Sequence, residues 1–76
     1  MKLFLANCGY YEPAILDGIF EMHITLPIVA ETLEAAKVKA KEHEFFVSRG
    51  IRVHVDGITE LREVDGYEVL VGAPRA

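Results

Sequence analysis

The sequence predicts an α+β domain in which a four-stranded, mainly antiparallel sheet carries one helix on one face. Two segments, residues 20–26 and 51–56, alternate apolar and polar residues with the two-residue period of a strand. One segment, residues 32–45, carries apolar residues at helical spacing. Short apolar runs at residues 2–8 and 67–71 open and close this pattern, which gives the order β-β-α-β-β.

The first apolar run, KLFLANC, has apolar residues on both of its faces and is therefore expected to be a central strand. Residues 9–18 contain Gly, Pro and Asp-Gly and are interpreted as a loop. In the second strand the apolar residues face the core. Pro27 is expected to end its pairing or to mark a bulge, since proline has no amide proton to donate.

The helix is predicted to run from about Thr32 to Phe45. Thr32 is a natural N-cap, because its hydroxyl accepts a hydrogen bond from a free amide of the first turn. Leu33, Ala36 and Ala40 fall along one stripe and are expected to pack on the sheet, which the small alanines allow the helix to approach closely.

A Val-Asp-Gly triplet occurs twice, at residues 55–57 and 64–66. Asp bonds to its own nearby backbone and Gly accepts a positive φ, so Asp-Gly is a strong turn signal. Both triplets are therefore predicted to be turns. Gly57 and Gly66 are expected to hold backbone conformations that a β-carbon would strain.

Composition excludes several classes of function. The 76 residues carry a net charge of −4, and the basic residues form no continuous patch, so no nucleic acid partner is expected. No apolar run approaches the ~20 residues of a membrane span, so no membrane partner is expected either. The single cysteine, Cys8, forms no internal disulfide and favours a cytoplasmic location. No cofactor fingerprint or zinc-type Cys/His spacing is present, so no cofactor is predicted.

Four segments together resemble a known family: MKLFLANCGY, VAETLEAAKVKAK, VHVDG and the final VDGYEVLV. In this order and spacing they are similar to the domain of unknown function 1543 family of small bacterial proteins. The resemblance spans roughly residues 1–71. It implies a small α+β domain, found singly or in tandem, and implies no reaction. The chain, residues 1–76, is accordingly expected to be a single domain.

The most specific functional hypothesis from the sequence is a site formed by histidines and carboxylates. His23 and His54 lie on the polar faces of their strands, and both imidazoles project from one surface if those strands are neighbours. Asp56 is a third candidate, and Glu21 and Glu68 are further carboxylates. Such a set binds a transition metal or shares a proton. The alternative is that both histidines lie on a solvated or subunit-facing surface.

Four other residues carry reactive or binding groups, but the sequence places no catalytic partner beside them. Tyr10 and Tyr11, in the expected loop, either anchor a partner or close the open edge of the core. Cys8 ends an apolar strand and has no base beside it, so a buried and inert thiol is expected. His43 is expected to be a packed residue of the helix stripe.

The sequence favours a non-enzymatic interaction module that forms a homodimer or docks on a partner protein. One helix covers one face of the sheet, and Phe4, Ala6, Cys8 and Leu70 are expected to leave the other face partly apolar. The alternative is a small-molecule or metal-binding protein, with an enzymatic role open, that uses His23, His54 and Asp56. A chain of 76 residues has little volume for a pocket of its own.

Overall fold

The structure of the chain, a computed structural model, describes residues 1–75. Its class is α+β, as the sequence predicts. The strands and α-helices in chain order are β1 (Lys2–Tyr11), β2 (Glu21–Ala30), α1 (Leu33–Lys41), α2 (Glu44–Val47), β3 (Val53–Glu60), β4 (Glu63–Val64) and β5 (Tyr67–Glu68). A short 3-10 helix, Leu16–Gly18, lies between β1 and β2.

The main sheet has three strands rather than the predicted four, in the order β2-β1-β3, and both pairings are antiparallel. β1 is central, as expected. The closing apolar run does not join this sheet, because its strand β5 pairs with β4. Asp65 and Gly66 both have a positive φ and turn the chain straight back on β4, beyond the end of β3. The tight turn therefore gives the last strand a local partner instead of the sheet edge.

The first two strands are longer than predicted. β1 continues through Tyr11, so residues 9–11 belong to the strand and not to the loop. Pro27 lies inside β2, opposite Leu5, and does not end the pairing. β2 is an edge strand of the sheet, where the missing amide proton of a proline is tolerated.

The core lies between one face of the sheet and the two helices. Phe4, Ala6 and Cys8 were expected on the uncovered face, but all three are buried in this core. The register explains the difference, because it sets Phe4 opposite Ile28 and Ala6 opposite Leu26 on the inward face. Successive strand residues point to opposite faces, so Leu3 and Leu5 lie on the other, uncovered face.

Helix α1 begins as predicted and ends early. The Thr32 hydroxyl accepts a hydrogen bond from the Ala35 amide at 3.1 Å, and the helix stops at Lys41 rather than at Phe45. Ala36 and Ala40 are fully buried against the sheet. Leu33 was expected beside them but is 47% exposed, because it lies at the start of the helix beside a groove next to β3.

A second short helix, α2, closes the aromatic end of the core. His43 is its N-cap, since Nδ1 accepts a hydrogen bond from the Phe45 amide at 3.1 Å. The rings of Tyr10, Phe45 and Phe46 meet edge to face, with centroids 5.2 to 5.5 Å apart. This geometry is the favoured one for aromatic pairs and fixes Tyr10 inside the core.

The packed face of α1 can be tested with one buried and one exposed position. Ala40→Glu places an unpaired carboxylate where no side-chain surface is exposed, and should lower the free energy of unfolding by about 3–5 kcal/mol. Val38→Glu changes an exposed position of the same helix and should stay within about 0.5 kcal/mol of the wild type. Urea denaturation measures the free energy of unfolding of both variants. Equal effects of the two substitutions would contradict the packing of Ala40 against the sheet.

Candidate functional site

The two Val-Asp-Gly triplets have different structures. Asp65 and Gly66, with φ of 53° and 85°, form the predicted turn between β4 and β5. Asp56 and Gly57 do not form a turn, because they lie inside β3. Gly57 has no positive φ, and a β-carbon built there would meet no atom within 4 Å, so the predicted strain at Gly57 is wrong.

The first triplet forms a β-bulge instead. Asn7 of β1 faces Gly57 and the next residue, Cys8, faces Val55, so Asp56 is the extra residue of β3. Bulges of this kind redirect a side chain and disturb the ladder locally. Val55 before the bulge and Ile58 after it both pack against the core. His54 and Asp56 are exposed, and their side chains meet on the uncovered face.

The strands that carry the two histidines are not neighbours, since β1 lies between them. Gly9 of β1 is opposite His23 on one side and opposite His54 on the other. A β-carbon at Gly9 would lie 2.5 Å from Nε2 of His54 and 3.1 Å from Oδ2 of Asp56. Because glycine has no side chain, side chains from both outer strands meet above the central strand.

Four side chains meet there, and we call them the Gly9 cluster: Glu21 and His23 from β2, and His54 and Asp56 from β3. Glu21 lies between the two histidines, with Oε1 2.8 Å from Nε2 of His23 and Oε2 3.0 Å from Nε2 of His54. Asp56 also reaches both, with Oδ2 3.6 Å from Nδ1 of His23 and Oδ1 3.3 Å from Nε2 of His54. Each imidazole therefore contacts both carboxylates.

The Gly9 cluster is open to solvent. The side chains of His23 and His54 are 52% and 49% exposed, and those of Glu21 and Asp56 are 33% and 38% exposed. The cluster offers imidazole nitrogen and carboxylate oxygen donors from one side only. A group bound there keeps its other side free for water or for a further molecule.

The two predicted tyrosines separate onto opposite faces of the sheet. Tyr11 is opposite Glu21 in the register and half exposed, which places it next to the Gly9 cluster. Tyr10 is buried among the aromatic rings of the core and is not brought to the cluster. Glu68, the third carboxylate named from the sequence, lies in β5 and is not part of the cluster.

Cys8 lies on the inward face and is buried, as the sequence predicts. Burial raises the pKa of its thiol above the usual value, and the nearby Asp56 carboxylate raises it further. Both effects disfavour the reactive thiolate. The thiol is therefore separate from the chemistry of the Gly9 cluster.

Gly9 is the residue of the candidate site that the sequence interpretation missed. It was assigned to a loop together with Pro13 and the Asp17-Gly18 pair. A lone glycine at the end of an apolar strand pattern is a known signal for a close approach of other groups to the backbone. That signal was present, but it did not say which side chains would approach.

The fold and the Gly9 cluster define a small α+β protein that presents two histidines and two carboxylates on an uncovered sheet face. Residues 18–71, more than two thirds of the chain, match the family model described as Domain of Unknown Function (DUF1543), so the chain belongs to this family. The matched stretch includes all four members of the Gly9 cluster. No curated protein and no solved structure matches the chain. Within residues 1–75, no helix is long and apolar enough to cross a membrane.

The role of Gly9 can be tested by adding one methyl group. Gly9→Ala should push the His54 imidazole out of the cluster while leaving the fold intact, because the β-carbon collides with a movable side chain and not with backbone. Nuclear Overhauser contacts between the His54 ring and the Glu21 side chain should disappear. Gly57→Ala, which meets no atom within 4 Å, is the matched control and should retain them. If these contacts were unchanged in Gly9→Ala, the His54 imidazole would not lie against Gly9 as described.

Proposed function

We propose that this protein binds a divalent transition-metal ion at the Gly9 cluster, with His23, His54, Glu21 and Asp56 as ligands. The observation that carries the proposal is the meeting of donor atoms. One ligand atom each from Glu21, His23 and Asp56 lies within 4.8 Å of the others. Nε2 of His54 lies 3.0 Å and 3.3 Å from oxygens of the two carboxylates.

These separations suit a shared cation. Imidazole nitrogens and carboxylate oxygens bind zinc at about 2.0–2.2 Å, which puts neighbouring donors around one ion roughly 3–4 Å apart. Nε2 of His54 lies 3.0 Å from Glu21 and 3.3 Å from Asp56, in this range. His23 contacts Glu21 through Nε2 at 2.8 Å and Asp56 through Nδ1 at 3.6 Å, and it offers one of these two nitrogens to the ion. Small side-chain rotations are enough to exchange these contacts for bonds to a central ion, and the half-exposed side chains are free to make them.

The donor types select the class of metal. Carboxylates and carbonyls alone suit magnesium or calcium, whereas imidazoles suit zinc, copper, iron and nickel. Two imidazoles beside two carboxylates therefore favour an ion of the zinc type. The two carboxylate charges also balance a divalent ion. Because the donors come from one side, the ion keeps a free position, where a small-molecule ligand or an activated water would bind.

The sequence favours an interaction module first. The positions of His23 and His54, both opposite Gly9, support metal binding ahead of it. Self-association, or docking on another protein, is our second candidate function. Leu3, Leu5 and Val29 of the uncovered face, the last 37% exposed, support it.

We further propose that the protein acts in the bacterial cytoplasm and has no nucleic acid or membrane partner. The support is the single, buried thiol of Cys8 and the net charge of −4. The sequence also has no stripe or cluster of basic residues of the kind that binds nucleic acid.

Zinc titration by isothermal calorimetry tests the metal proposal. The wild-type chain should bind one ion, and the bound ion should raise the melting temperature because it stabilises only the folded state. His54→Ala and His23→Ala should each weaken binding at least about 10-fold, since even residues that only support a metal ligand contribute about that much. A chelator should return the melting temperature to that of the metal-free chain.

The third histidine supplies a matched control. His43→Asn removes an imidazole outside the cluster and keeps an N-cap acceptor for α2, so zinc binding should not change. Equal zinc affinity in the wild type and His54→Ala would overturn the proposal. Loss of binding in His43→Asn alone would place the zinc at another site.

A further inference from the structure

The outer edge of β2 is a free edge of the sheet within residues 1–75. Leu3 of β1 accepts a hydrogen bond from the Leu61 amide, so its backbone groups point toward β3 and away from β2. In an antiparallel pair, residues of this kind alternate with residues that are hydrogen-bonded to the partner strand. The β2 residues opposite Leu3 and opposite every second residue after it therefore direct their N–H and C=O groups outward: Val29, Pro27, Thr25, His23 and Glu21.

One half of this edge is protected against pairing with another strand. Pro27 has no amide proton to donate. Nζ of Lys39, which extends from α1, donates a hydrogen bond to the Val29 carbonyl at 2.6 Å. The opposite edge of the sheet is interrupted by the bulge of β3 at Asp56. Prolines, lysines and bulges are devices by which edge strands avoid pairing with other chains. Residues 21–25 have none of these, and we call them the open segment.

The open segment is complementary to itself when two copies pair antiparallel about His23. His23 then stands opposite its own equivalent, and Glu21 of each copy stands opposite Thr25 of the other, so no two carboxylates are opposed. On the inward face Met22 comes beside Ile24 of the second copy, and both are only partly buried against the core of a single chain. The Glu21 carboxylate does not project across the edge, because it contacts both histidines of its own cluster.

The residues that flank the open segment also favour a second copy as the partner. Ile19 and Phe20, directly before β2, are 70% and 56% exposed. In the pairing about His23 they come opposite Pro27 and Leu26 of the second copy, so each copy covers apolar side chains of the other. Pro27 lies beyond the last hydrogen-bonded pair, and its missing donor therefore costs this pairing nothing.

We infer that two copies of this chain pair their β2 strands through the open segment and form a two-fold dimer. The two sheets become one six-stranded sheet in the order β3-β1-β2-β2-β1-β3, with the axis perpendicular to the sheet beside His23. The outward groups of residues 21, 23 and 25 exchange about six backbone hydrogen bonds between the copies. This inference gives the second candidate function, self-association, a definite surface.

The dimer brings the two Gly9 clusters to the same face of one sheet. With strands about 4.8 Å apart, Gly9 of one copy lies roughly 14 Å from Gly9 of the other. Each metal-free cluster carries two carboxylate charges, which repel those of the other copy. A divalent ion in each cluster balances these charges, so zinc tightens the dimer and the dimer tightens zinc binding by the same factor. This coupling rests on the proposed metal site, whereas the strand pairing does not.

Sedimentation equilibrium over the micromolar range, with a chelator present, tests the strand pairing. As the concentration rises, the wild-type chain should approach twice the 8.5 kDa chain mass. Thr25→Pro removes an outward amide donor that β1 does not use, and should sediment as a monomer with an unchanged far-ultraviolet circular dichroism spectrum. Thr25→Val keeps that donor and should remain a dimer. A wild-type monomer throughout, or a Thr25→Pro dimer as tight as the wild type, would overturn the inference.

Nitroxide spin labels measure the register without a proline, because the buried thiol of Cys8 stays unlabelled. Labels on Thr25→Cys should lie about 15 Å apart in the dimer, since the two positions are two residues on either side of the axis. Labels on Thr59→Cys, on the same face but in β3, should lie roughly 35 Å apart. A shorter separation at residue 59 than at residue 25 would place the contact at β3 and overturn the inference.

Adding zinc separates this inference from the metal proposal. At low salt zinc should tighten the wild-type dimer at least a few-fold, and the effect should shrink in about 1 M salt, where charges are screened. Thr25→Pro should bind zinc as a monomer. Zinc binding that leaves the dimer unchanged would overturn the coupling and support the metal proposal. A dimer without zinc binding would support the strand pairing and overturn the metal proposal.

Discussion

The register of the central strand with its two neighbours is the constraint on which the site depends. Strand side chains alternate between two faces, so a shift by one residue would move every side chain to the other face. In the observed register Gly9 stands opposite His23 and His54 at once. The bulge at Asp56 keeps the second half of β3 packed on the core while its carboxylate joins the histidines. A glycine, a bulge and two pairings together create one polar cluster.

The two faces of the sheet carry different kinds of residue: one holds the apolar core and the other the polar cluster. The inward face buries Phe4, Ala6 and Cys8 under the helices and supplies the apolar contacts that a domain of this size needs. The outward face does not contribute to this core and carries exposed histidines and carboxylates. Substitutions in the exposed Gly9 cluster are therefore expected to disturb folding little. The same division explains why the thiol of Cys8, one residue from Gly9, takes no part in the cluster.

The sequence by itself determined the elements that depend on local chemistry: the two alternating strands, the start of α1 at the Thr32 cap, and the turn at Asp65. It also named His23, His54 and Asp56. Only the tertiary structure decided that Asp56 and Gly57 form a bulge, that the last strand leaves the sheet, and that the histidines meet although their strands are not neighbours. Local signals act over a few residues, whereas register and strand order depend on contacts between segments distant in sequence. Gly9 acquires its role only from what lies on both sides of it.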